Sequence, residues 1–241
     1  MPLFHHAQRE VTLKVVYYGA GLGGKTTNLE TIHARTRPEN RGKLVSVMTE
    51  SERTLFLDFL PMDLGRFRGY RIRLHLCSVP GQIAQDATRQ LVLRNVDGVV
   101  LVVDSQADRT DANSFSVRNL DYNLRLQGVD PDRLPLVVQY NKRDLTGVMS
   151  IGELRESLGV PDGVPELQAS ARNGWGVFET VKAIVSDCLR QVGEPSHQYE
   201  GRVECLLAHP RDRFYPTGPV SMIHALKPEE ELEPVRVNRR G

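Results

Sequence analysis

The residues Gly19-Ala20-Gly21-Leu22-Gly23-Gly24-Lys25-Thr26 carry the first chemistry in this chain. They fit G-x-x-x-x-G-K-[ST] at every fixed position. They follow an apolar run, Val11 to Tyr18, that reads as a strand, and they precede Thr27 to Ile32, which reads as a helix. Gly19, Gly21, Gly23 and Gly24 let the backbone curl with its N–H groups pointing inward, a concavity that binds anions. The positive end of the helix dipole opens at the same spot, near Gly24, Lys25, Thr26 and Thr27. In such a loop the lysine, here Lys25, reaches β and γ phosphates and the Thr26 hydroxyl ligates Mg²⁺. The ordinary alternative is a glycine-rich turn, and the strand–loop–helix setting argues against it.

Asn141-Lys142-Arg143-Asp144 is the second constellation. An aspartate just past a buried strand can accept the two parallel N–H donors of guanine. Adenine presents no such pair, and a site built for those donors rejects a base that lacks them. Lys142 can lay its aliphatic stem along the base, and Asn141 can tie this loop to the phosphate loop. Ser170-Ala171, after the last strand, adds a backbone N–H for the guanine carbonyl. N-K-x-D alone is common. Its position after the third buried strand that follows a phosphate loop makes it specific.

The elements that must hold these loops alternate along the chain. After the helix to about Arg35 comes a polar loop, Arg37 to Gly42, then a long connection, Leu44 to Thr54. Leu55–Leu60 reads as a strand. Arg71–Cys77 alternates basic and apolar residues, so a hairpin is expected with its turn from Gly65 to Gly69. Ile83 to Arg94 reads as a helix with Ala87, Leu91 and Leu93 inward. Val96–Asp104 and Leu134–Tyr140 are continuous apolar runs of the kind buried in a parallel sheet. Between and after them, Ala112–Leu126 and Ile151–Leu158 read as helices and Val164–Ala169 as a last strand. The stripe Val177, Val181, Ile184, Val185, Cys188, Leu189 and Val192 is a helix core face. The class is α/β, with a mixed, mostly parallel sheet covered by helices on both faces, and ligands are expected at the carboxyl ends of its strands. Residues 194–241, with Pro195, Pro210, Pro216, Pro219 and Pro228 and the run Glu229-Glu230-Glu231, form an extension that either lies on the domain or is disordered.

Bulk properties narrow the options further. The net charge of the 241 residues is +1, so no global charge points to nucleic acid. The three cysteines, Cys77, Cys188 and Cys205, lack metal-ligand spacing, which fits a reduced cytoplasmic setting. No run approaches a membrane span, no lipid anchor is expected, and His5-His6 reads as a frayed terminus.

Taken together, the motifs resemble the Ras-like small GTPases over about residues 8–192, and more narrowly the bacterial MglA family. The narrower resemblance rests on Val16-Tyr17-Tyr18-Gly19, Gly24 to Leu29, Thr49-Glu50-x-Glu52-Arg53-Thr54-Leu55-Phe56-x-Asp58-Phe59-Leu60-Pro61, Val79-Pro80-Gly81-Gln82, and Gln139-x-Asn141-Lys142-Arg143-Asp144-Leu145. One departure from the Ras pattern supports it. Where Asp-x-x-Gly is usual the chain reads Ser78-Val79-Pro80-Gly81, and MglA-like proteins also carry a hydroxyl residue there. Mg²⁺ is then left with fewer carboxylates, so Thr26 and a switch hydroxyl carry more of the ligation. Asp58 is either an indirect partner of the ion or a solvated strand residue.

The resemblance implies a Ras-like P-loop G domain over 8–193, binding of Mg²⁺ with GTP or GDP, and GTP hydrolysis that is slow alone. It implies that Gln82, after Gly81, orients the attacking water, that Arg53 stabilises the transition state in cis, and that Thr54 senses the γ-phosphate and Mg²⁺, with Thr49 as the rival. It further implies a monomeric, cytoplasmic switch in cell polarity or motility. Its edge strand, at Phe56, Phe59, Leu60 and residues 61–70, would move and dock a Roadblock/longin-type (MglB-like) activator dimer, and effectors would read the same loops. The competing readings are a weakly hydrolysing nucleotide-binding scaffold and an ATP-using P-loop kinase; Arg53 and Gln82 argue against the first and Asp144 against the second.

Overall fold

A computed structural model describes residues 3–47, 57–80 and 86–192 of the chain. Thr49, Arg53, Thr54, Phe56, Gly81, Gln82, Cys205 and the 194–241 extension lie outside the described residues.

Among the described residues eight strands form one sheet. They are β1 (Leu3–His5), β2 (Glu10–Gly19), β3 (Val45–Val47), β4 (Leu57–Phe67), β5 (Tyr70–Ser78), β6 (Gly98–Asp104), β7 (Leu136–Asn141) and β8 (Glu166–Gln168). The order is β3-β4-β5-β2-β6-β7-β8, with β1 on β2. Pairing is parallel from β5 through β8 and antiparallel where β3 and β4 join the edge. The α/β expectation is thus borne out.

Among the described residues five α-helices cover the sheet: α1 (Lys25–Arg35), α2 (Asp86–Leu93), α3 (Thr110–Leu126), α4 (Ile151–Leu158) and α5 (Val177–Val192). The two-residue period of β2 sorts its side chains onto two cores. Leu13, Val15 and Tyr17 pack with Leu29 and Ile32 of α1 and with Val181, Ile184 and Val185 of α5. Val16 and Tyr18 face the other way, with Val92 and Leu93 of α2, Leu120 and Leu124 of α3 and Leu154 of α4. Both strand faces are covered, so β6 is buried at all its positions from Gly98 to Asp104. The short α4 is fixed by a capping box, Ser150 with Glu153, and ends on left-handed Gly159. Cys188 lies in the α5 core as expected, its thiol pushed up by burial. Among the described residues no helix is long and apolar enough to cross a membrane.

Several local expectations need correction. His5-His6 is not a frayed end: Leu3–His5 pairs with Glu10–Thr12, and the His6 ring stacks on Phe4 and meets Tyr70. Aromatic contacts and strand pairing hold this segment where composition offered no signal. Residues 61–67 are strand rather than loop, and the turn narrows to Arg68-Gly69, because a register shift between Asp63 and Arg66 absorbs Gly65 within the hairpin. Part of the expected long connection, Val45–Val47, pairs with β4. On α2, Ala87 is exposed while Thr88 and Arg89 are buried, since the first turn of α2 bonds the asparagine face of α3 and only its last turn, at Val92 and Leu93, joins the apolar core.

Candidate functional site

The two sequence motifs meet at the carboxyl ends of β2 and β7. Gly19 ends β2 at φ 144°, and a Cβ there would lie 2.2 Å from the Val102 carbonyl oxygen on β6. The phosphate loop therefore leaves the sheet by a path open only to glycine. Gly24 precedes α1 at φ 98°, and a Cβ there would lie 2.2 Å from Asn141 Nδ2. That close approach permits the central contact of the site. Asn141 Nδ2 donates to the Gly23 carbonyl at 2.8 Å, while its Oδ1 accepts the Ala171 N–H at 2.9 Å. One buried amide thus ties together the phosphate loop, the Asn141–Asp144 loop and the Ser170-Ala171 loop.

Beneath it, Gln139 Nε2 donates to Asn28 Oδ1 (3.0 Å) and to the Thr180 hydroxyl (2.9 Å), and Asn28 Nδ2 donates to the Gly24 carbonyl (2.9 Å). Asn28, Gln139 and Thr180 are fully buried, so these bonds brace the start of α1 away from water.

Lys25 folds back over the loop and donates to the carbonyls of Gly19 (2.9 Å) and Ala20 (2.7 Å). Burial first, then the positive charge of Arg89, lowers its pKa to about 8, against the opposing pull of Asp58. A group held this way gains from an arriving anion.

The Asn141–Asp144 loop is stapled on each side. The Arg143 N–H donates to the Ala169 carbonyl and its Nη1 to the Met149 carbonyl, and Met149 N–H donates to the Ser105 carbonyl. Lys142 adopts φ 64°, and its Nζ lies 2.6 Å from Asp104 Oδ2. Asp144 is exposed, and its carboxylate makes no hydrogen bond or ion pair among the described residues. The Ala171 N–H is already given to Asn141, so a purine carbonyl arriving there would share it in a three-centre bond.

The opposite side of the phosphate loop is built differently. Asp58, on β4, accepts three hydroxyls: Thr26 at 2.6 Å, Ser46 at 2.7 Å and Ser78 at 2.8 Å. Ser46 is its direct register partner on β3, and Phe59 pairs with Cys77, which sets Asp58 beside Ser78 on β5. Asp58 is therefore not a solvated face residue. It supplies a carboxylate one strand over from where Ser78 withholds it. Hydroxyl and carboxylate oxygens beside an anion loop are a donor set that fits Mg²⁺.

A third polar layer lies between α2 and α3. Arg89, almost fully buried, donates from Nε to the Pro80 carbonyl (3.1 Å) and from Nη1 to Asn119 Oδ1 (2.8 Å), and its guanidinium stands over the Tyr18 and Phe115 rings. Asn119 and Asn123 both donate to Asp86 Oδ1. Residues Pro80 and Asp86 are thus anchored to the same face of α3. Sequence reasoning missed Arg89, Asp104 and Arg109. None of the three stands in a binding motif or at a fixed spacing from one.

A sheet ordered around a central phosphate-loop strand, with the Asn141–Asp144 loop after β7, is the fold of a Ras-like P-loop GTPase. No family model matches the chain. Compared with known proteins, it is 49% identical over 192 residues to the mutual gliding-motility protein MglA of Myxococcus xanthus (strain DK1622), covering 80% of this chain and 98% of that protein. The chain belongs to the MglA family.

Proposed function

We propose that this protein is a guanine-nucleotide switch. It binds Mg²⁺ with GTP or GDP, hydrolyses GTP, and signals to partner proteins in bacterial polarity or gliding motility. The observation that carries this reading is the Asn141 bridge, which sets a free Asp144 carboxylate in fixed register with a phosphate loop. The identity to a gliding-motility protein supports the cellular role.

In this reading Gly19, Gly21, Gly23, Gly24, Lys25, Thr26 and Thr27 hold the phosphates. Asp144 reads the base with Asn141, Lys142, Ser170 and Ala171. Thr26 and Thr54 would hold Mg²⁺, and Asp58, which accepts the Thr26 hydroxyl, would orient that ligand. The bound ion offsets the charge that develops on the phosphates. Gln82, next to Gly81, orients the water, and Arg53 supplies positive charge to the γ-phosphate oxygens. A Roadblock/longin-type dimer is the activator we propose, docking on the β3–β4 edge, with the switch itself monomeric and cytoplasmic.

The test is nucleotide binding and single-turnover hydrolysis with purified protein and Mg²⁺. Wild type should bind GDP and GTP well above ADP and ATP. Asp144→Asn should weaken guanine nucleotides by about 10²-fold or more while leaving ATP binding nearly unchanged. An unchanged base preference would defeat the assignment. Absence of turnover with and without an activator would make the protein a binding module.

A further inference from the structure

Asp104 closes β6 with no exposed surface, and none of the binding motifs contains it. Its carboxylate faces two cations from two different loops. Lys142 Nζ is 2.6 Å from Oδ2, and Arg109 Nε is 3.8 Å from the same oxygen. Arg109 ends a single 3-10 turn, Ala107–Arg109, and its Nη2 donates to the Gly21 carbonyl at 2.6 Å. A continuous path of contacts therefore runs from the base-side loop to the phosphate loop through Lys142, Asp104, Arg109 and Gly21.

Asp104 is held in place independently of those cations. Its Oδ1 accepts the Gln106 N–H at 3.2 Å and the Gln106 Nε2 at 3.1 Å. The Asn113 side chain on α3 bonds both its backbone N–H (3.1 Å) and its carbonyl (2.8 Å). A carboxylate fixed this way inside the protein needs its cations, because a buried charge is tolerated only when paired.

The acceptor at the far end matters as much. A carbonyl turned into an anion cradle would repel phosphate. The peptide after Gly21 is planar and trans, so drawing its oxygen toward Arg109 turns the Leu22 N–H to the opposite side. Leu22 itself sits at φ 63° with its side chain almost wholly in solvent, so no packing of that side chain holds the left-handed turn. The Gly23 N–H to Ala20 carbonyl bond (3.2 Å) closes the turn and the Arg109 contact orients its central peptide, and a left-handed residue in a run of amides is the geometry of an anion nest.

We propose that Arg109, set by Asp104, is a positioning residue for the diphosphate of the bound nucleotide. It holds the phosphate loop in its anion-binding shape, couples that loop to Lys142, and so sets how fast a nucleoside diphosphate leaves. The inference rests on the guanine-nucleotide reading above and concerns a residue that touches the phosphate loop from behind.

The test uses the full chain with Mg²⁺, a fluorescent GDP analogue for release, and unlabelled GDP and GMP for affinity. Arg109→Ala should release GDP about tenfold faster, since a charge-assisted bond to a half-buried carbonyl is lost. Its affinity for GMP, which lacks the β-phosphate, should change far less than its affinity for GDP. Arg109→Lys, which can still reach a carbonyl, should recover most of the loss. Asp104→Asn should reproduce the Arg109→Ala release rate, and the double variant should release no faster than either single one. Release within twofold of wild type, or equal losses for GDP and GMP, would overturn the proposal, the second outcome because it marks a general loosening. If wild type bound neither nucleotide, the function reading would fall first and this one with it; normal wild-type binding with an inert Arg109 would sink only this inference.

Discussion

The two sides of the phosphate loop are built on opposite plans. On the side we assign to the base, the struts are backbone groups and the side chains of Asn141 and Arg143, at the ends of the parallel strands β7 and β8. Asn141 reaches Gly23 and Ala171, and Arg143 reaches Ala169 and Met149. On the other side, the polar cluster is assembled across strands. Asp58, Ser46 and Ser78 come from β4, β3 and β5, and only the sheet register brings them together with Thr26. The base side is fixed by two side chains of one short loop that bond the backbone of neighbouring loops. The cluster around Asp58 depends on how an antiparallel edge lies against the parallel core. A device that discriminates between bases benefits from the first plan. A device that senses an ion or a terminal phosphate benefits from the second, because sliding the edge strands by one register step would remove the carboxylate from Thr26.

If the two sides act separately, they should break separately. The Asp144→Asn loss of guanine preference, the largest effect expected, should leave the dependence on Mg²⁺ intact. Asp58→Asn should do the reverse, weakening Mg²⁺-dependent nucleotide retention by about 10- to 100-fold, the usual cost of losing a group that orients a metal ligand, with base preference kept. Titrating release of a GDP analogue against Mg²⁺ measures this. The sharper variant moves the carboxylate back to β5. Ser78→Asp alone places two carboxylates side by side and should impair folding or binding, whereas Ser78→Asp with Asp58→Ser should restore much of the Mg²⁺ response. Equal defects in base choice and Mg²⁺ response for either single variant would erase the distinction drawn above.

The same contrast explains what could be read from the chain. The phosphate loop, the Asn141–Asp144 loop and the order of most strands were legible because each is written in contiguous residues with a period or a spacing. Asp58 was legible only as one of two options. Its meaning lies in a register with Ser46 and Ser78, thirty-odd positions of sequence that no local pattern aligns. Arg89 and Asp104 were not legible at all. A buried arginine between Tyr18 and Phe115 reads from sequence as surface, and an aspartate at the end of a buried strand carries no sign of which cations it meets. The strand Leu3–His5 was lost for a different reason: three residues are too few to show alternation, and the Tyr70 ring that Phe4 meets is distant in sequence.

Lys25 lies where the two sides meet and gives a smaller, pH-dependent effect. Its pKa is lowered to about 8 by burial and by Arg89, and the phosphates of a bound nucleotide would raise it again. The bound state then holds more protons than the free state above pH 8, so affinity must fall as pH rises through that value. From pH 7.0 to 8.5 the loss should be about fourfold, and calorimetry in buffers of different ionisation enthalpy should register proton uptake at the upper pH. A flat affinity with no proton uptake would mean that the lysine stays charged in the empty site.

The smallest effect belongs to the edge alone. His75 on β5 meets the Phe59 ring edge-on at 5.1 Å, one residue along β4 from Asp58, and its Nε2 is buried without a hydrogen-bond partner. Burial, then Arg73 and Lys14, lowers its pKa to about 4, with Glu10 opposing. The unfolded chain, with a histidine near 6.5, therefore binds more protons than the folded one between pH 4 and 6.5. Stability is full above 6.5 and falls as the pH drops through this window. By pH 5 the loss attributable to this one group is about 2 kcal/mol. Urea unfolding at pH 7.0 and 5.0 should show that drop in wild type and a clearly smaller one in His75→Gln. Because the histidine braces the hairpin that carries Asp58, mild acid should weaken Mg²⁺-dependent retention before it alters base preference. Parallel losses of both on the way to pH 5, or an equal drop in stability for the variant, would show that the edge is no softer than the base side.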